Sequence, residues 1–470
     1  MDKPAADAPA SPKPAARVKG SKDLLSGSVG RTLLAYSLPI MVANMLQQAN
    51  TVVNTMWVSH VLGPGALAGT FNANLLLAFL IGSVSGISMA ANVLIAQAVG
   101  ARDTERMQKS VGASITLLSF ISVIIAVLGA VLAPQFLAMM GTPAGALPDA
   151  IAYLRVIFYA APFMFFFNFI QLAQRGSGDS RTPLYFSILA VFLDVVLNPL
   201  LIIGVGPFPK MGVAGSAMAT LLAQVISLGI MVVLLYRGKS LLIPRKETLR
   251  FLKLDLHIVS LLITRGVPMG LTTIVVTGAA LAMMRLVNGY GVATAAAYGA
   301  ATQLWVYVQM PGAANGAGVT AMAAQAIGAK RWDRFDQLAL KAMPVGFAVT
   351  FIPVVFIYIF NRQVMGLFLT DPEALRIAQV VNNHALWGFV CFSVSIVSTS
   401  LLRAAGAVVV PLIFIFVAMW GVRIPLSAVT SHYFGVEALW WSFPFASVTI
   451  LICSLTYYRF GNWRAKALLR

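Results

Sequence analysis

Asp194 is the side chain whose surroundings most demand a chemical role. It sits near the centre of an apolar run over residues 183–203. That run is long enough to cross a bilayer core of about 30 Å at 1.5 Å per helical residue. No other acid in the chain falls deep inside an apolar span. An ionised carboxylate at such a depth costs about 2.5–3.5 kcal/mol on insertion scales. Two routes offset the cost. Burial favours the neutral, protonated carboxyl, or the group faces a wet cavity or a cation. Either route suits a group that exchanges a proton, or binds a cation, as its access to water changes. The plainer alternative is a structural acid bonded to neighbouring hydroxyls and amides. Asn198, four residues on, shares its helical face and can donate to it. Arg423 lies in the corresponding span of the second half, so an Asp194–Arg423 contact that changes between open states is one candidate. Service within its own half, or snorkelling to the outer interface, is the other.

Three further groups of residues are candidates for lining a substrate cleft. The first apolar span carries Asn44, Gln47, Gln48, Asn50 and Asn54, with Asn44, Gln47 and Gln48 on one face and Asn54 displaced. Amides inside a span serve as interhelical bonds or as cleft lining. The fourth span holds an aromatic run at 163–167, including Phe163, Met164 and Phe166, followed by Asn168. The eighth carries Gln303, Trp305, Tyr307, Gln309 and Met310. Aromatic faces attract organic cations, and flexible Met-rich walls adapt to several shapes. For each of these side chains the competing role is packing against lipid or a neighbouring helix.

The elements that must position these residues are membrane-spanning helices. The chain is 59% hydrophobic and 10% charged, against about 25% charged in soluble proteins, so it cannot cover a water-facing surface of this size. The expected class is an all-α polytopic membrane protein. Twelve apolar spans run from 32–58 and 66–97 to 408–430 and 438–458. The net charge of +18 would raise nucleic acid as a partner in a soluble protein. Here 26 of the 33 Lys and Arg residues fall on alternate loops of one side, four on the other, and three within spans. By the positive-inside rule both termini are cytoplasmic, the partner is the lipid bilayer, and no nucleic acid is expected.

The twelve spans are six repeated. Arg175, Gly178 and Pro183 recur as Arg403, Gly406 and Pro411, 228 residues later. AQAVGA at 96–101 recurs as AQAIGA at 324–329, each before a basic loop, and Thr142-Pro143 has its counterpart at Thr370. Six helices therefore map onto six in the same orientation, a parallel repeat that predicts two pseudo-symmetric six-helix bundles with a cleft between them. The expected divisions are a disordered cytoplasmic tail at 1–28, a first bundle at 29–236, a basic linker at 237–256, a second bundle at 257–460 and a cytoplasmic tail at 461–470. Leu, Phe and Ile between the linker's charges predict a helix lying in the membrane interface. The small-residue stretches at 82–98 and 312–328 allow close helix approach. Cys391 and Cys453 sit inside apolar spans as small buried residues. His60, His257, His384 and His432 form no metal-ligand spacing. No phosphate-binding loop or nucleophile elbow is present, so ATP hydrolysis, enzymatic activity, a cofactor and a metal are not expected.

Both halves carry distinctive motifs: SLPI at 37–40, VNTMWV at 53–58, AQAVGA at 96–101, RGSGD at 175–179 and DVVLNP at 194–199, with AQAIGA at 324–329 in the second half. On these the chain resembles the multidrug and toxic compound extrusion (MATE) family of the wider flippase superfamily. The resemblance implies a V-shaped pair of bundles in a bacterial inner membrane, acting as a monomer that exports drugs or metabolites by cation antiport. The expected function is export of amphipathic, cationic organic compounds against a proton, with sodium as the other ion. Asp194, Asn198 and Asn54 are the expected coupling residues. Gln47, Asn44, Phe163, Phe166, Asn168, Gln303, Tyr307, Trp305 and Arg423 are the expected cleft lining. The alternative is flipping of a lipid-linked precursor or polysaccharide, which calls for a strongly cationic cleft. The family commonly has Asp where this chain has Asn54, and often Asn then Asp where it has Asp194 then Asn198.

Overall fold

The structure, a computed structural model, describes residues 24–139, 147–204, 206, 208–244 and 255–466, without the side chains of 59–60, 62–81, 83 and 465–466. Residues 1–23 of the expected tail, the Thr142-Pro143 motif, residues 245–254 of the linker, the last residues 467–470 and the side chain of His60 lie outside the described residues.

Described secondary structure is helical throughout. The first half comprises α1 (Val29–Gly100), α2 (Thr104–Met139), α3 (Leu147–Gly176), α4 (Arg181–Ile203) and α5 (Val213–Arg237). The second comprises α6 (Leu256–Asn288), α7 (Val292–Gly328), α8 (Trp332–Ile359), the short α9 (Asn361–Gly366) and α10 (Pro372–Ala404). It continues through α11 (Val409–Phe416), a π-helical segment (Val417–Arg423), α12 (Ile424–Phe434), α13 (Glu437–Phe460) and the terminal turn α14 (Trp463–Lys466). Both of the first two apolar spans, 32–58 and 66–97, fall within α1. Ten described helices are long and apolar enough to cross a membrane, and Val84–Gly100 is a shorter apolar stretch. α7 adds a further long helix whose Ala, Gly, Thr and Gln content lowers its hydropathy; it is buried along most of its length, so it needs little lipid-facing surface. Of the linker, the described residues 238–244 form turns rather than helix.

Local sequence sets the ends of these helices. Asp255 caps α6 by accepting from the N–H groups of His257 and Ile258, and Asp371 caps α10 by accepting from Ala374 N–H, with Pro372 in the first turn. Gly204 ends α4 in the left-handed region at φ 78°, a conformation that costs glycine nothing.

The two halves meet along stretches of small residues. A Cβ on Gly86 of α1 would lie 2.3 Å from both Gly266 O and Gly270 N of α6. At the end that carries the basic loops, a Cβ on Gly100 would lie 2.0 Å from Gln325 O, and one on Gly328 would lie 1.9 Å from Gln97 O. Backbone therefore rests on backbone, which only glycine permits. Two amides finish this seam. Gln97 donates to Ala404 O at 2.8 Å, and Gln325 donates to Gly176 O at 2.9 Å. The Tyr36 hydroxyl donates to Arg175 O beside them.

Candidate functional site: an acid-bearing cavity within the first half

α4 places Asp194 thirteen residues from its start, about 20 Å along the helix axis at 1.5 Å per residue. The carboxylate is 2% exposed and lies among amides and hydroxyls from two other helices. From α1, Asn50 Nδ2 donates to Asp194 Oδ2 at 2.5 Å and Asn54 Nδ2 donates to the same oxygen at 2.8 Å. From α5, Thr220 Oγ1 donates to Asp194 Oδ1 at 3.1 Å. Asn198, fully buried one turn after Asp194, donates to Asn54 Oδ1 at 2.7 Å. It reaches the carboxylate through Asn54 and not directly.

Three donors stabilise a negative charge here while burial penalises it. Asn50 Oδ1, Asn198 Oδ1 and Gln224 Oε1 are buried acceptors without a hydrogen-bond partner. A buried acceptor left unpaired costs about 1–3 kcal/mol, so these oxygens favour an incoming donor or cation.

The Asp194 cluster forms part of the wall of a cavity of about 630 Å³. Gln47, Asn50, Thr51 and Asn54 of α1 line it with Phe165, Phe167, Asn168 and Gln171 of α3, Asp194 of α4, and Ser216, Thr220 and Gln224 of α5. Asp194 is the one ionisable carboxylate in the described lining, and no described Lys or Arg joins it. The cavity lies within the first half and not in a cleft between two facing bundles, as the repeat had predicted. Thr273 of α6 is the second half's sole described contribution to its wall.

The expected lining residues divide accordingly. Gln47, Asn54, Asn168 and Asp194 line this cavity. Asn44 lies off it, half-buried and about one helical turn short of Gln47. Phe163 and Phe166 lie on the other face of α3; Phe163 is exposed and Phe166 packs on the core, while Met164, Phe165 and Phe167 line the cavity. Gln303, Tyr307 and Trp305 all belong to α7 in the second half, away from the cavity. Gln303 is exposed and Tyr307 half-buried. Trp305 is core: its Nε1 donates to Asn382 Oδ1 at 3.0 Å, and its ring meets Phe443 edge-on at 4.8 Å. Arg423 remains in the second half, over the Phe443 ring at 3.8 Å, with no hydrogen bond to Asp194.

Asn50, Thr220, Ser216 and Gln224 were not assigned to the coupling site from sequence. Asn50 stood in the polar stripe of the first span. Ser216, Thr220 and Gln224 are four apart on one face of α5, a polar stripe in an otherwise apolar span that helical periodicity could have exposed.

The model of the MatE family matches the chain twice, over residues 39–200 and 268–429. The chain belongs to the MatE family. The two matches are of equal length and offset by 229 residues, in agreement with the duplication read from the motifs. This MatE chain is 35% identical over 445 residues to "Probable multidrug resistance protein YoeA" of Bacillus subtilis (strain 168), covering 94% of this chain and 96% of that one. It is 29% identical over 452 residues to "Probable multidrug resistance protein YpnP" of the same organism, covering 95% and 98%. A crystal structure of a MATE protein in complex with MaD3S superimposes with a TM-score of 0.87 at 22% identity, covering 96% of this chain and 99% of that one. The MATE fold, a polytopic helical transporter of two pseudo-symmetric bundles, is thereby established for this protein.

Proposed function

We propose that this protein exports amphipathic organic cations by exchange against protons, with Asp194 as the group that couples the two fluxes. The observation that carries the reading is a cavity of about 630 Å³ whose described lining combines Phe165, Phe167 and Met164 with a single carboxylate and no described basic side chain. A wall that combines aromatic rings, amides and hydroxyls with one buried acid favours a flat cation over an anion. Relatives named as multidrug resistance proteins are in keeping with such a substrate. The same lining disfavours the lipid-linked precursor reading, since a pyrophosphate would meet Asp194 with nothing to neutralise it.

In this mechanism Asp194, ionised, accepts from Asn50, Asn54 and Thr220 and holds the cargo's positive charge. A proton arriving from outside neutralises the carboxylate, removes that attraction and turns the group into a donor. The unpartnered Asn50 Oδ1 and Asn198 Oδ1 are then at hand to accept. Cargo leaves, and the seam at Gln97 and Gln325 reopens to return the proton to the cytoplasm, which this reading places at the basic-loop end of a bacterial inner membrane. Access thus alternates between the two sides.

The test is ethidium efflux by purified protein in vesicles, under an imposed pH gradient and separately under a sodium gradient. Efflux driven by the pH gradient and lost in Asp194→Asn is the expected result. Efflux driven by sodium alone would replace the proton, and gradient-driven efflux that survives in Asp194→Asn would remove Asp194 from its role.

A further inference from the structure

The second half carries its own copy of the Asp194 site, and the copy has the opposite charge. Pro183 and Pro411 set a register of 228, on which Arg423 falls opposite Val195. α4 is an uninterrupted α-helix, whereas the matching span turns π-helical over Val417–Arg423 between α11 and α12. A π turn takes up one residue more than an α turn. Beyond it the register becomes 229, which sets Arg423 opposite Asp194 and Ser427 opposite Asn198.

Hydrogen bonding follows this shifted register. Asn198 donates to Asn54 Oδ1 in the first half, and Ser427 Oγ donates to Met283 Sδ at 3.3 Å in the second; both pairs are 144 residues apart. On this register Met283, Arg423 and Ser427 stand opposite Asn54, Asp194 and Asn198, a framework of three positions in each half. Thr220 has no counterpart in it: Ser442 of α13 bonds with Ser427 at 2.7 Å, whereas Thr220 of α5 bonds with Asp194.

Arg423 is 9% exposed and has no ion pair with a described acid; the described ion pairs are exposed ones at Glu105, Asp333 and Asp336. It sits over the Phe443 ring at 3.8 Å and approaches Met419 Sδ at 3.6 Å. Its Nε has no partner. An arginine keeps its proton in proteins, so this charge is permanent, and a second cation a few ångströms away would meet it in a medium that screens little.

We infer that Arg423 bars the second half's copy of the site from taking a cation, so that coupling is confined to Asp194 and one cation is exchanged per transport cycle. The inference rests on the cation-coupled export proposed above. A structural arginine would affect stability or rate, but it would not set the coupling ratio.

The ratio is measured with ethidium in vesicles clamped at zero membrane potential, by finding the pH gradient that just halts flux down a tenfold ethidium gradient. One proton per cycle requires about one pH unit and two require about half a unit. The wild type and Arg423→Lys are expected at about one unit. Arg423→Asp, which restores an acid to the same framework, is expected at about half a unit. A wild-type balance at half a unit overturns the inference while leaving Asp194-dependent export intact, and the wild-type value decides alone if Arg423→Asp does not fold. Arg423→Asp staying at one unit overturns the role given to Arg423. Flux driven by neither a pH nor a sodium gradient overturns the proposed function and this inference together; if sodium is the driver, the same balance is struck with the sodium gradient.

Discussion

Gln97 and Gln325 hold the two halves together by one bond made twice with the roles exchanged. The α1 amide reaches Ala404 O of the second half, and the α7 amide reaches Gly176 O of the first, donors and acceptors each 228 residues apart. Because the two bonds are equivalent, removing either should weaken the closed seam equally. Each hydrogen bond contributes about 0.5–1.5 kcal/mol, so Gln97→Ala and Gln325→Ala should each shift the closed-to-open ratio by about 2–13-fold. Spin-label distances across the basic-loop end, measured in the two variants and their double, check this. Unequal effects of the single variants would contradict the symmetry.

A methyl group at the same seam should be harder to bear. Gly100→Ala and Gly328→Ala each drive a Cβ into the facing glutamine's carbonyl, at 2.0 and 1.9 Å. Overpacking of this kind costs about 1–3 kcal/mol or more. The expected outcome is a lower melting temperature in detergent, or a population driven towards the open seam, for both substitutions.

Around Asp194, the donors should be separable from the acid. Thr220→Val and Asn50→Leu remove a bond that stabilises the ionised carboxylate while leaving the group itself. Loss of such a bond favours the neutral form. Efflux in these variants should persist, with its pH profile displaced to higher pH, whereas Asp194→Asn should show no profile at all. Initial efflux rates over a pH series distinguish the cases.

Two phenylalanines four residues apart should behave differently. Phe167 lines the cavity and Phe163 faces away from it. Phe167→Ala should raise the KM for an aromatic cation by about 2–30-fold, the equivalent of about 0.5–2 kcal/mol of cation–π attraction. Phe163→Ala should leave it unchanged. Kinetics with ethidium and with an aliphatic quaternary amine separate ring contact from general packing.

In the second half, Trp305 and Asn382 should matter to stability and not to coupling. The Trp305 Nε1 bond to Asn382 Oδ1 is buried, and Asn382 also donates to Asn361 Oδ1 at 3.0 Å. Asn382→Ala leaves a buried indole N–H unpaired, at a cost of about 1–3 kcal/mol. Thermal unfolding should register the loss while the ethidium-to-proton ratio stays as in the wild type.

The sequence was most legible where physics acts over many residues at once. Sparse charge, sustained apolar runs and the recurrence of Arg175, Gly178 and Pro183 as Arg403, Gly406 and Pro411 carried the class, the duplication and the fold. Asp194 stood out because a buried acid is expensive wherever its helix goes. The cavity wall was less legible, because helix rotation decides it. Phe163 and Phe165 are alike in type, and tertiary packing turns just one of them inward. Trp305 had the composition of a cleft residue and became core, because α7 is enclosed by other helices. The pairing of Asp194 with Arg423 was hidden by one residue, since a π turn leaves no compositional mark and a fixed offset of 228 passes over it.

Thr273 alone represents the second half in the described cavity wall. In the export proposed above, a passenger seated there would be cradled almost wholly by the first half. The second half could then swing away as a door does, without first prising apart the grip on what is being carried. Selectivity and gating would be written on separate halves of the chain, and either could drift during evolution while the other stays put.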